Sequence, residues 1–405
     1  MALAPACLAG PAPSYYDLMH QAQATAPRIL ESRANVGMAQ GRADQSGVFP
    51  NPTGGILFEN FGGGGVAPAL ASNYTSQEQT TLSVSELIEL GGKRDARMAV
   101  GAADLGVAQA RDRQALADFS YELALAYAGA EAAQARVKLN ETAVQAAGED
   151  LRGAVALVDA GREAGVRAKQ ANAAMMAAQA ELEAARADAA TVLARLSMLV
   201  AASQTFTDVM PSLLPLAENL PTTAPPEPAK FLTVVAAEAE RDASVSRMDL
   251  ERARAIPDVT ATLGVRRLTG YQQTVLMGGI SLPIPLFDQN SGNISAAGSQ
   301  VVAASARLAA ARSEAETGWR AALAQANATV ARLSAAHGAA DAAEEAYGLT
   351  RTGYESGKTS LAELLASRRA LTDAQLLLLN ARVARIGASA ALARLAGNIA
   401  FGEGP

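Results

Sequence analysis

Cysteine is almost absent: Cys7 is the only one in 405 residues. That excludes an internal disulfide and any thiolate-based metal cluster. Aromatic side chains are scarce, with eight Tyr, eight Phe and one Trp. A globular core of this length draws on more large side chains than that. Positive charge is not in excess either, since the net charge is −6 and the pI is near 5.2. Nucleic acid requires a basic face and is not an expected partner. No run of 18 or more purely apolar residues occurs, so no transmembrane helix is expected.

Half the residues are nevertheless hydrophobic, and much of that half is alanine. Alanine has the best helix propensity and lets backbones approach, so Ala-rich sequence studded with Arg and Glu suits long helices packed side by side. Around Cys7 the small apolar run Leu3-Ala4-Pro5-Ala6-Cys7-Leu8-Ala9-Gly10 resembles the tail of a secretory leader, without its basic start and apolar run. Two readings stay open: a leader whose start lies upstream, and lipid modification of Cys7, against which Ala4 and Pro5 both speak.

Helical spacing runs from Ser14 to about Gln45, with a break expected at Ala26-Pro27, and Pro50-Asn51-Pro52 ends it. Gly54–Phe61, carrying Ile56 and Phe58, reads as a strand. A loop opened by Gly62–Gly65 leads to a second strand, Thr80–Ile88, with Leu82 and Val84. No Lys-Ser/Thr follows these glycines, so the loop is a hairpin rather than a phosphate cradle. From Lys93 onward Leu116, Leu123, Ala130, Val137, Val144, Leu151 and Val158 recur every seventh residue. This sustained heptad seam implies a helix to Ala160, about 100 Å long. Gly161 to Gly165 reverses the chain, and a shorter helix returns to about Ala201.

Six prolines between Met210 and Ala229 mark a connector that regular helix cannot cross. The programme then repeats. A short helix closes at Ile256-Pro257, followed by a strand with Val259, Ala261, Leu263 and Val265 on one face and Thr260, Thr262, Gly264 and Arg266 on the other. Its partner places Leu276, Ile280, Leu282 and Ile284 together, with Pro283 and Pro285 expected at the strand's end. Strands of about ten residues with one apolar and one polar face match a membrane β-barrel. A second long helix runs from about Ile294 to Ser356, turns at Gly357 and returns through Leu361 and Leu364 to Leu395.

The offset between Gly161 and Gly357, 196 residues, also relates Ser85–Leu90 to Ser281–Leu286. Pro50 and Pro257 differ by 207, so the first hairpin carries 11 extra residues, assigned to the loop around Gly62 to Ser76. The expected organisation is an N-terminal tail or leader remnant (1–13), a first repeat (14–209), the Pro-rich connector (210–229), a second repeat (230–398) and a C-terminal tail (399–405). The β-hairpins fall at about 50–91 and 257–287, and the tip turns at about 161–165 and 353–360. Within each repeat the two short helices together match the long one, so they stack end to end as a second rod. The fold class is mainly α with a membrane β-barrel, built from long antiparallel helical hairpins and four strands per protomer. Four strands cannot close a barrel, and a membrane barrel has no free edge, so the chain must oligomerise: three copies give twelve strands and two give eight.

Several runs together resemble the TolC family of outer-membrane efflux proteins. They are Pro50-Asn51-Pro52, Phe58-Glu59-Asn60-Phe61-Gly62-Gly63, Glu89-Leu90-Gly91-Gly92-Lys93-Arg94, Pro257-Asp258-Val259-Thr260, Ile280–Phe287, Gln289-Asn290 with Gly292-Asn293-Ile294, and Gly353-Tyr354-Glu355-Ser356-Gly357-Lys358. Within the family the likeness lies with the heavy-metal branch that includes CzcC and CusC. The resemblance implies a homotrimer with a twelve-stranded barrel in the outer membrane of a Gram-negative bacterium and a helical tunnel through the periplasm. It implies a periplasmic adaptor (membrane fusion protein) and an inner-membrane RND pump as partners, and passive efflux of heavy-metal cations. Multidrug efflux or type I secretion through the same architecture is the alternative, and a periplasmic adaptor with a single coiled-coil hairpin is a more distant one. The tips are the implied docking or gating site: Gly161, Glu163 and Gly165 in the first, and Gly353, Tyr354, Gly357, Lys358, Ser360, Leu361 and Glu363 in the second. The sequence departs from the pattern at Leu87, where Pro is usual, and at Ala164 and Arg167, where Ser and Asp are common.

No catalytic constellation is visible, and no cofactor or resident metal is expected. His20 and His337 lie in separate helical arms without a second ligand at metal spacing. Met175 and Met176 point about 100° apart on a helix and serve one ion poorly. Asp288–Asn293 lacks the closing Glu of a calcium loop and reads as a strand-to-helix turn. Glu163, Arg167, Glu355, Lys358 and the pair Glu363 with Arg368 are candidates for inter-helix salt bridges that hold the tip shut.

Overall fold

The computed structural model describes residues 10–59, 78–220 and 230–402. Cys7, the loop from Gly62 through Asn73 with its extra residues, Pro221 to Pro228 and the last three residues lie outside them. The chain runs α1 (Tyr15–Thr25), α2 (Pro27–Ser46), β1 (Thr53–Glu59), β2 (Gln79–Ile88), α3 (Lys93–Asp159), α4 (Gly165–Leu199), a 3-10 segment (Leu214–Asn219), α5 (Leu232–Arg254), β3 (Val259–Leu268), β4 (Gln273–Ser281), α6 (Ser291–Glu355) and α7 (Leu361–Leu395). Pro27 opens α2 at the expected break, where a residue without an N–H loses nothing. The connector is not wholly irregular: Leu214–Asn219 forms a 3-10 helix with proline in its first turn.

The chain divides into two compact units: Met1–Ala34, Ala110–Val235 and Ala311–Pro405 in one, Asn35–Gln109 and Ala236–Ala310 in the other. The first unit has a core where both ends of the chain and the connector meet α3. Tyr15, Phe119, Leu123, Tyr127, Leu196, Leu213 and Ile386 are fully buried there. Tyr15 donates its hydroxyl to the Ala400 carbonyl at 2.6 Å. The Tyr127 hydroxyl lies 2.8 Å from the Pro13 carbonyl and 2.9 Å from that of Met210. Burial pushes the Tyr127 hydroxyl up to about 12, so it stays a donor at any physiological pH. Glu131 of α3, 4 % exposed, accepts from the backbone N–H groups of Ser212, Leu213 and Leu214 at 2.7, 2.9 and 2.7 Å. One buried carboxylate thereby satisfies the donors that open the 3-10 segment. His337 of α6 meets Glu218 of that segment at 2.9 Å, and Arg382 of α7 reaches the same oxygen at 2.9 Å. His20 is exposed.

Among the described residues α7 is long and apolar enough in composition to cross a membrane. Part of its apolar surface is spent within the chain: Leu361, Leu364, Ile386, Ala390 and Leu392 are buried, while Leu377 is exposed.

The second unit holds one antiparallel sheet in the order β1-β2-β3-β4, with β1 and β4 at its edges. The central pair joins the two halves of the sequence, Gln79 facing Leu268 and Ile88 facing Val259. The helix side of the sheet is tied by polar contacts. Asp258 accepts from the Leu90 N–H at 3.0 Å and pairs with Lys93 at 2.7 Å. Arg97 pairs with Glu89, and Arg94 lies over the Phe49 ring. Asn290, at φ 58, donates to the Glu251 carbonyl at 2.7 Å just before α6 begins.

Candidate functional site

The sheet separates its two faces by the period of two that strands impose. The pairing registers place Ile56, Phe58, Leu82, Val84, Ile88, Val259, Ala261, Leu263, Val265, Leu276, Gly278 and Ile280 on one face. Leu263, Leu276 and Ile280 are 67 %, 81 % and 80 % exposed, so these apolar side chains are not covered by the described residues. Glu86 and Arg267 are the charged residues of this face, about 20 Å apart at ~3.4 Å per residue, with Ile88 and Val259 beyond Glu86 at the helix end. The opposite face carries Gln79, Thr81, Ser83, Ser85, Thr260, Thr262, Arg266 and Ser281. Of the residues that the sequence placed on the apolar face of β4, Leu282 and Ile284 lie beyond the strand. The β3–β4 ladder stops at Ser281, because Pro283 and Pro285 have no N–H to continue it. Gly264 has a separate reason to be glycine: a Cβ there would meet the Leu82 carbonyl oxygen at 2.7 Å.

In the first unit the two helix reversals share one chemistry. Gly161 and Gly357 adopt φ of +68° and +72° with open space where a Cβ would stand, so backbone conformation alone asks for glycine. The Arg162 N–H bonds back to the Leu157 carbonyl at 2.9 Å, and the Lys358 N–H to that of Gly353 at 2.8 Å. The second reversal is more strongly built. Ser360 and Glu363 form a reciprocal capping box, with Glu363 Oε2 2.8 Å from the Ser360 N–H. Thr359 also donates its hydroxyl to the Thr350 carbonyl at 3.0 Å. Ala164, the counterpart of Ser360, offers no side-chain cap to α4. Ser360→Ala is therefore expected to cost about 1 kcal/mol. Hydrogen exchange at the first amides of α7 should quicken roughly fivefold. Equal rates in both proteins would show that the box does not hold this turn.

Gly353 and Tyr354 lie in the last turn of α6 rather than in the reversal, and Gly165 is the first residue of α4. Ala154, Ala171, Leu361 and Leu364 form a buried cluster with Leu151, Tyr347, Tyr354 and Leu365 against it, so α3, α4, α6 and α7 meet beside the two turns. The expected salt bridges form differently. Glu163 pairs with Arg167 at 3.4 Å and Glu355 with Arg351 at 3.2 Å, each within one helical turn. Glu363 is committed to the cap, and Lys358 is exposed. Neighbours at four residues' spacing reach one another with less ordering than partners on another helix. Arg368 does cross between helices, but to Asp150 of α3, and both side chains are largely buried. Arg351 also approaches Glu149 at 3.7 Å. Burial outweighs Arg368 and raises the Asp150 carboxyl above the usual aspartate range. Sequence reasoning missed Asp150. One signal existed, since Asp150 and Arg368 each stand eleven residues from their turn glycine.

Among the described residues no group of three or more His, Cys, Asp or Glu could hold a metal ion. A sheet apolar on one face, with open edges, and helices reversing at paired tips can supply part of a membrane-spanning pore. Comparisons with known proteins agree. The nickel-cobalt-cadmium resistance protein NccC of Alcaligenes xylosoxydans xylosoxydans is 44% identical over 398 residues, 98% of this chain and 89% of that protein. The nickel and cobalt resistance protein CnrC of Cupriavidus metallidurans is 45% identical over 317 residues, 78% of this chain and 74% of that protein. The solved structure of CusC superposes with a TM-score of 0.79 at 15% identity, covering 95% of this chain and 92% of that one. The profile of the outer membrane efflux proteins matches residues 18–202 and 232–398, and the chain belongs to that family.

Proposed function

We propose that this protein is the outer-membrane duct through which heavy-metal cations, nickel, cobalt or cadmium among them, leave the periplasm. The observation that carries the reading is the 44% identity to a nickel-cobalt-cadmium resistance protein along nearly the whole chain. Three copies pair β4 of one with β1 of the next, giving twelve strands and no free edge. A periplasmic adaptor docks at the tips around Gly161 and Gly357, and an inner-membrane RND pump supplies the driving force. The duct itself catalyses no step and holds no cargo tightly. Deleting the gene should sensitise cells to nickel, cobalt or cadmium but not to a panel of organic drugs, and reintroducing it should restore resistance. Sensitivity to drugs alone would move the reading to multidrug efflux.

At the tips the Asp150–Arg368 pair ties α3 to α7 and holds the channel closed at rest. Because Asp150 titrates above an ordinary aspartate, acid removes its charge earlier. Protons bind the folded form more tightly than the unfolded chain, so this group's contribution to stability is fullest below its unfolded pKa and falls as pH rises through the raised folded value. Acidification therefore loosens the tie without unfolding the helices. In planar bilayers conductance should rise on acidification, and Asp150→Asn should conduct more at neutral pH with a flatter pH response. An Asp150→Asn channel with the parent's pH profile would remove this pair from the gate.

A further inference from the structure

The polar face of the sheet carries two charged side chains among its described strand residues, Glu59 at the end of β1 and Arg266 near the end of β3. Both lie at the loop end, away from the strand ends that lead into the helices. Arg266 is pinned across strands: Nε donates to Thr81 Oγ1 at 3.1 Å, Nη1 donates to Gln79 Oε1 at 3.3 Å, and Nη2 stands 3.6 Å from Glu59 Oε2. The neutral partners orient the guanidinium. Among the described residues Glu59 Oε2 makes no hydrogen bond, so it meets Arg266 there by charge.

From this arrangement we infer that Glu59 and Arg266 set the charge selectivity of the pore at its outer end, for small hydrated cations. The inference rests on the channel reading above, which makes the polar face the water-filled one. A ring of unopposed carboxylates attracts and retains divalent cations, because hard oxygen ligands hold them. A ring of unopposed guanidiniums repels them. The pair cancels both fields, so a cation passes without being held. Arg266 is a specificity-determining residue in this scheme, and the Thr81 and Gln79 contacts are what keep it in place.

Three unit charges about 10 Å from the pore axis change the local concentration of a monovalent ion by roughly twofold at 0.1 M salt, and by more in dilute salt. For a divalent ion the factor is about the square of that. The test is single-channel recording of the purified full-length protein in planar bilayers under a potassium chloride gradient, with nickel chloride added as a blocker. Arg266→Gln is expected to shift the reversal potential toward that of potassium and to lower the nickel concentration that blocks. Glu59→Gln is expected to shift it toward that of chloride and to weaken block. The double variant should return close to the parent, a result that mere loss of sheet stability would not produce. Conducting variants whose reversal potentials and nickel block all match the parent would overturn the inference. A parent that forms trimers in detergent but never conducts would instead overturn the channel reading, and with it any selectivity for the pair to set.

Discussion

Glu131→Ala is expected to release the connector from α3 and to destabilise the first unit by about 3 kcal/mol or more, since each buried donor left without an acceptor costs ~1–3 kcal/mol. Three backbone N–H groups lose their acceptor at once, and the Ser212 hydroxyl, 3.2 Å from the same oxygen, loses its partner too. The site lies beside Tyr127, whose hydroxyl reaches the Met210 carbonyl, so the loss spreads to the segment that holds both chain ends. Glu131→Gln is expected to fall between the parent and the alanine variant, because an amide keeps one acceptor oxygen but presents an N–H₂ group to the remaining donors. Limited proteolysis should cut the connector near Ser212 much faster in Glu131→Ala, and the helical signal should melt at a lower temperature. A variant as resistant as the parent would mean that the 3-10 segment is held by its apolar contacts, chiefly Leu213 and Ala217, both buried.

The second large effect is expected on the apolar face of the sheet. Leu263 is 67 % exposed within the chain, and in water its replacement by Arg would be tolerated. In a bilayer it stands between the Glu86 and Arg267 rows, near the middle of the apolar face, where Arg costs about 2–4 kcal/mol. Leu263→Arg should therefore fold poorly into outer membranes and appear at reduced levels in that fraction. Thr262→Arg, one residue away on the polar face, should insert nearly as well as the parent. Equal insertion of the two variants would contradict the assignment of faces. The comparison isolates the solvent on each side, because both substitutions disturb the same ladder.

Much of this architecture was legible from local pattern. The heptad run from Leu116 to Val158 implied one long helix, and α3 spans 67 residues without interruption. Gly161 and Gly357 marked the reversals because few other residues tolerate positive φ. The alternation of Val259, Leu263 and Val265 with Thr260, Thr262 and Arg266 assigned both faces of β3 correctly. Alternation continues through Leu282 and Ile284, past the point where the ladder can. The prolines that end the ladder carry no side-chain signal of face.

What the sequence by itself determined is whatever depends on a residue and its near neighbours: helix and strand period, the glycine turns, the proline breaks, and the family to which these runs belong. What only the tertiary structure decided is partner choice across long separations. Asp150 meets Arg368 rather than Glu363 doing so, Glu131 turns inward to cap a segment some eighty residues away, and Arg266 finds Thr81, Gln79 and Glu59 on two other strands. The physical reason is that a period of 2 or 3.6 is written in every few residues, whereas an ion pair or a buried cap depends on register and packing between elements. Chemistry alone leaves each of those charges several equivalent partners, and burial selects among them.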